Sequence, residues 1–176
     1  PKAKYRKITA LGVATTGIWG NYTLWAEGNY TWPDKVKELD DPFNVSLSCN
    51  DPYFQAALGL DRMFGDSNEY YVLGQYIYTG NGSLLSVYNF PGEKRKAGHY
   101  LAIIGRGTIQ DDHEIEITNI YNLRDNGGII VPKYTYKINP TFSAWIGTTI
   151  RFGDKASEFY NLPGAETINT GLKVIW

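Results

Sequence analysis

Apolar and polar residues alternate with period two along most of the chain, and turn residues punctuate that alternation. Helical periodicity is nearly absent; residues 36–39 have room for one turn of helix and no more. The pattern predicts nine strands, at 4–16, 20–32, 53–64, 68–79, 99–110, 113–124, 128–138, 143–152 and 167–176. Soluble strands average ~5–6 residues, whereas a tilted strand that crosses a bilayer needs ~9–11. The predicted strands belong to the longer class.

The connections alternate in length. Residues 17–21, 65–68, 111–112 and 139–142 are short links. Residues 33–52, 80–98 and 153–166 are long, and 125–128 is a short link on the long side. Short turns on one side and long polar loops on the other are the asymmetry of outer-membrane barrels.

The alternation also separates two faces. In 113–124, Glu114, Glu116 and Thr118 oppose Ile115 and Ile117. In 128–138, Lys133, Thr135 and Lys137 oppose Ile130, Tyr134 and Tyr136. In the last strand, Asn169, Gly171 and Lys173 oppose Ile168, Leu172 and Val174. No helix and no complementary second set of strands is available to cover the apolar face. A soluble barrel turns that face inward; a membrane barrel turns it to lipid. Aromatic residues near the strand ends favour the second arrangement, because Tyr and Trp settle at membrane–water interfaces. The residues expected at such interfaces are Tyr22, Tyr30, Trp32, Phe64, Tyr76, Tyr78, Tyr134, Tyr136 and Trp176. The competing expectation is a soluble core with hydrogen-bonded Tyr hydroxyls.

Two registers can be written down. Asn126-Gly127 between alternating strands is a two-residue hairpin signal. It places Ile120 opposite Lys133 and Glu116 opposite Lys137. On the other side of that strand, a two-residue turn at Asp111 and Asp112 places Arg106 opposite Ile117. A three-residue loop at 110–112 places it opposite Glu116, and parity with Thr108 favours this one.

Composition and charge narrow the function classes. The 176 residues carry a net charge of −1, so no basic field recruits nucleic acid. Charged residues make up 20% and aromatics 15%, which argues against disorder. The single cysteine, Cys49, excludes a disulfide framework and a cysteine-based zinc site. No apolar run is long enough for a membrane helix, and the N-terminal residues show no apolar leader segment. His99 and His113 lie at strand ends without a ligand pattern. Asp40-Asp41 and Asp111-Asp112 read as solvated turns, and Lys94-Arg95-Lys96 as a solvated run that is also able to meet anionic lipopolysaccharide. Gly105-Arg106-Gly107 lies mid-strand and is no phosphate loop. Of the sequons at Asn21, Asn29, Asn44 and Asn81, the first two fall inside predicted strands, a poor place for an acceptor. No acid–base or nucleophile constellation can be assembled, so no enzyme, metal or cofactor is expected.

The stretch Phe54-Gln55-Ala56-Ala57-Leu58-Gly59-Leu60-Asp61-Arg62-Met63-Phe64-Gly65, followed by Tyr70-Tyr71-Val72-Leu73-Gly74-Gln75-Tyr76-Ile77, resembles a hairpin of Gram-negative outer-membrane porins. There a G-x-D-x-x-F-G turn precedes a strand ending Q-Y-I. Phe152-Gly153-Asp154 before a loop, and a terminal strand with Leu172, Val174 and Trp176, resemble the C-termini of the same proteins. The chain resembles the broad group of alginate-export-like and uncharacterised substrate-specific porins, which are typically much longer. It implies an all-β, antiparallel, up-and-down transmembrane β-barrel in the bacterial outer membrane, with the terminal strand read by the outer-membrane assembly machinery. It also implies a bilayer with lipopolysaccharide as surroundings and small solutes as cargo.

With the last strand running inward, the long loops all fall outside and the first of nine strands also runs inward. Single-chain bacterial barrels have an even count, so the sequence is expected to supply the C-terminal strands of a larger barrel. An intact mass near 19.8 kDa would count against that expectation. The pore-lining candidates are Glu27, Asp61, Glu69, Gln75, Arg106, Glu114, Glu116, Lys133, Lys137, Arg151 and Lys173, with loops 33–52 and 80–98 as candidate constrictions. The expected function is passive diffusion of small solutes. The alternatives are a soluble lipocalin-like carrier of an apolar ligand and a plugged structural or adhesion barrel.

Overall fold

The computed structural model describes residues 7–34, 51–82, 84, 96–160, 162 and 166–175. Within them the chain forms a single antiparallel meander. Its strands are β1 (Ile8–Trp19), β2 (Tyr22–Pro33), β3 (Tyr53–Phe64), β4 (Tyr70–Thr79), β5 (Gly98–Ile109), β6 (His113–Asn122), β7 (Gly128–Lys137), β8 (Phe142–Thr148), β9 (Ile150–Phe152) and β10 (Ile168–Val174). Sheet order follows chain order from β1 to β8 and then β10, with β9 on β7. β1 and β10 are the two edges, so the sheet is not closed. The residues 36–39, Cys49, Asp40, Asp41, Asn44, Lys94, Arg95 and Trp176, and most of the loops 33–52 and 80–98, lie outside the described residues.

The strand expected at 143–152 is one traverse divided in two. Gly147 faces Lys133 and Ile150 faces Ile130 in one continuous register. That register brings Pro132, which has no N–H to donate, to the break between β8 and β9. Ten strands therefore make nine traverses.

The first hairpin is displaced from expectation. Gly17 pairs with Leu24 inside the ladder, and the turn is Gly20 and Asn21 alone, with Trp19 facing Tyr22. Gly20 sits at φ +60°, the first central position where a type II′ turn requires glycine. Asn21 thus lies in a turn and not in a strand.

The β5–β6 link is the three-residue loop. Ile109 faces His113, Arg106 faces Glu116, and Gln110 and Asp111 adopt φ of 54° and 61°. The β6–β7 link differs from the two-residue turn expected at Asn126-Gly127. Tyr121 faces Gly128, so Ile120 meets Ile129, Glu116 meets Lys133, and Lys137 lies beyond the end of β6. Side chains explain the change. Asp125 accepts from the Gly127 N–H at 2.9 Å and from Asn122 Nδ2 at 3.2 Å, while Asn122 Oδ1 accepts from the Arg124 N–H at 2.9 Å. These Asx-type bonds close a longer turn. The register moves by an even number of residues, so every side chain keeps its face.

The strands are staggered. The row Ile18–Thr23–Asp61–Leu73–Ile104–Thr118 begins one pair inside Trp19–Tyr22 and ends five residues past His113, the first residue of β6. Successive short turns thus sit progressively farther out along the sheet.

Candidate functional site

Side chains alternate between faces along a strand, and laterally paired residues share one. The registers place all eleven pore-lining candidates on one face. Glu27, Asp61, Gln75, Arg106, Glu114, Glu116, Lys133, Lys137, Arg151 and Lys173 are carried by strands. Glu69 lies just before β4, its carbonyl bonded by the Thr108 N–H. One lateral row reads Tyr71–Arg106–Glu116–Lys133–Gly147–Asn169. Acidic side chains occupy β2, β3 and the start of β4. Basic ones dominate β7, β9 and β10, and both signs meet on β5 and β6.

The opposed charges of that row do not close into ion pairs among the described residues. The cations instead lie against rings, with the Arg106 guanidinium 5.8 Å from the Tyr71 centroid and the Lys133 ammonium 5.7 Å from that of Trp145. Such contacts contribute about 0.5–1 kcal/mol at exposed sites. Gly59 and Gly171 on the same face are covered by the indoles of Trp25 and Trp145, which leave no room for a Cβ. A groove of about 750 Å³ opens at the short-turn end, among Glu114, Lys133, Lys137, Trp145 and Lys173.

The other face is apolar and uncovered by any described element. Leu58 (55% exposed), Ile103 (53%), Ile117 (46%) and Ile146 (48%) form its middle. Of the interface aromatics expected from sequence, Tyr22, Tyr30, Trp32, Phe64, Tyr76, Tyr78, Tyr134 and Tyr136 all lie on it; Trp176 is outside the described residues. They form two bands. Tyr30 packs on Trp32, and Phe54 near Tyr78, at the long-loop end. Phe64 stacks on Tyr70 at the short-turn end. His99 and His113 take equivalent places, one in each band. Each ring Nδ1 lies 2.6 Å from a Tyr hydroxyl, that of Tyr76 and Tyr134 respectively. Among the described residues no group of three His, Cys, Asp or Glu is arranged to hold a metal.

What little buried core exists lies on the polar face. Among the described residues, the buried hydrophobic ones are Ala57, Tyr100, Ala102 and Phe159. Tyr100 and Phe159 meet edge to face at 6.2 Å between centroids. They are brought together by the segment 153–160, which folds back over the ends of β5 and β6. Its Glu158 carboxylate accepts from Asn122 Nδ2 at 2.9 Å and from the Tyr100 hydroxyl, and its N–H donates to Asp125 at 2.7 Å. The Tyr100 hydroxyl also accepts the Leu84 N–H at 2.8 Å. Sequence reading marked the other two long loops as candidate constrictions and gave this segment no role. The signal was Asp125, Glu158 and Phe159: a carboxylate in a turn, and an acid–aromatic pair in a loop otherwise polar.

The chain matches no protein-family model, no curated protein and no solved structure.

Proposed function

We propose that this sheet is part of the wall of a transmembrane β-barrel in a bacterial outer membrane, enclosing a water-filled pore for passive diffusion of small polar solutes. One observation carries the reading. Arg62 is the only Asp, Glu, Lys or Arg that any of the ten strands places on the apolar face, while aromatic residues border that face at both ends. Tyr70 and Tyr78, one in each band, are eight residues apart on β4, about 27 Å along the strand at ~3.4 Å per residue. An exposed apolar surface of this extent in water far exceeds the few hundred Å² that soluble monomers tolerate. A lipid-facing side with aromatic girdles accounts for it.

The polar face then lines the lumen, and the pore candidates named above are the residues a solute passes. Mixed charge on that wall, with Arg106 and Lys133 held against aromatic rings, suits a hydrated passage. The free edges belong to a larger barrel in this reading, because unpaired strand edges are not tolerated in lipid. External loops and lipopolysaccharide meet at the long-loop end, and the terminal strand is the element the assembly machinery handles.

Reconstitution into a planar bilayer tests the proposal. Discrete conductance steps are expected, together with a gel mobility that shifts on heating. Absence of both would sink it. The segment 153–160 specifically favours a second reading, a plugged barrel acting through its loops. A heat-shifted band without conductance would select that reading. A soluble carrier is disfavoured because, among the described residues, the buried cluster sits on the polar face.

A further inference from the structure

The polar face is not polar throughout. Between the Tyr100–Phe159 contact and the row Tyr71–Arg106–Glu116–Lys133, strands β4 to β7 carry two rows made mostly of apolar side chains. One is Leu73–Ile104–Thr118–Val131, the other Ala102–Ile120–Ile129. Paired residues on neighbouring strands share a face and lie side by side, so the two rows form one continuous patch. Its residues are half-buried, except Ala102, which is 6% exposed. The lipid-facing apolar surface is on the opposite side of the sheet, so this patch serves something within the lumen.

Two observations define what suits it. The first is Phe159. Its buried ring packs edge to face on Tyr100, two residues before Ala102 on the same face of β5. The surface at the upper end of the patch therefore already holds a phenyl group, supplied by the chain itself. The second is the charged row. Arg106, Glu116 and Lys133 follow one another across three neighbouring strands, yet make no ion pair among the described residues. A cation, an anion and a cation in series complement a carboxylate and an ammonium carried side by side. This row lies two residues along the strands from Ile104 and Val131, about 7 Å at ~3.4 Å per residue. That step is on the scale of one amino-acid side chain.

We propose that the patch and the charged row together form a solute site on the pore wall for zwitterionic α-amino acids with an apolar side chain. The side chain lies on Leu73, Ile104 and Ile120, below Phe159. The carboxylate meets Arg106 or Lys133, and the ammonium meets Glu116. The inference rests on the pore reading and names the solute class that the pore favours. A polar amino acid presents the same head to the row but must strip water from its side chain against apolar surface.

The test places the full chain in planar bilayers and reads the block of ion current by added solute. Phenylalanine is expected to halve the current at a concentration about tenfold below that for glutamine, the scale on which apolar surfaces separate side chains. N-acetylphenylalanine, which lacks the ammonium, is expected to block no better than glutamine. Ile104→Thr combined with Ile120→Thr is expected to bring phenylalanine to the glutamine value and leave glutamine unchanged. Glu116→Gln is expected to weaken the block by phenylalanine and not that by N-acetylphenylalanine. Heat-modifiable mobility shows that each variant has folded. Equal block by phenylalanine and glutamine in the wild type, a preference that survives the paired threonine substitutions, or strong block by N-acetylphenylalanine would each overturn the proposal. So would Ile104→Cys, in a Cys49→Ser background, staying unreactive toward a water-soluble maleimide, because another stretch of chain would then cover the patch. Conductance without solute preference removes only this site, while a heat-shifted band without conductance removes the pore reading and the site with it.

Discussion

Gly59 shows how tightly single positions are determined on the polar face. The Trp25 indole lies over it where any Cβ would stand, and Gly59 faces Trp25 across β2 and β3. Gly59→Val must displace the ring. A cost of about 1–3 kcal/mol is expected from forced repacking, read as a lower denaturant midpoint with altered tryptophan fluorescence. An unchanged midpoint would mean that Trp25 has another rotamer available at little cost. None of this was legible in the sequence, where Gly59 is only one apolar-run glycine. By contrast, which face each charge occupies was legible residue by residue. Period two fixes parity, and parity survives a misjudged turn when the register shifts by an even number of residues. Glu116 is the clearest case: its lysine partner changed from Lys137 to Lys133, yet its face did not.

At the level of elements, strands were legible because length and alternation signal them locally, whereas turns depend on side chains that act across the fold. Asp125 reads as a turn residue in sequence. Only the structure shows that it serves both its own turn and the N–H of Glu158 on a different loop. The fold-back segment 153–160 is held by this latch and by Phe159 on Tyr100. Glu158→Ala removes the acceptor of two donors, and unsatisfied buried donors cost about 1–3 kcal/mol each. The expected outcome is protease cleavage within 153–160 and, under the pore reading, a larger single-channel conductance. Asp125→Ala is expected to do the same less strongly, with non-additive effects in the double variant. Unchanged conductance in a variant whose loop is demonstrably cut would show that the segment does not narrow the passage.

For the molecule as a whole, β1 poses the sharpest question. Its twelve residues are exposed throughout and contain no charge and no proline. Edges that stay free in water usually carry such protection; β1 carries none, as the proposed barrel would require. Nine traverses leave β1 and β10 running in the same direction. Closure of this sheet upon itself therefore requires a parallel seam, and an antiparallel closure requires further strands. Cysteines placed at Val13 and Thr170, both on the apolar face, distinguish the two. Under the transmembrane reading, no disulfide between them is expected in reconstituted membranes; efficient formation would mean the sheet closes alone.

The stagger of the hairpins sets the inclination of the strands. Turns that shift outward by roughly one residue per strand, with strands ~4.8 Å apart, correspond to a tilt near 30–35°. In the proposed barrel, eight residues of β4 between Tyr70 and Tyr78 would then rise only about 22–23 Å along the axis, close to the ~25 Å apolar belt of outer-membrane barrels. Under the transmembrane reading, the lateral slip of each strand against its neighbour would thus shorten a strand run of about 27 Å to a span near the thickness of the apolar layer.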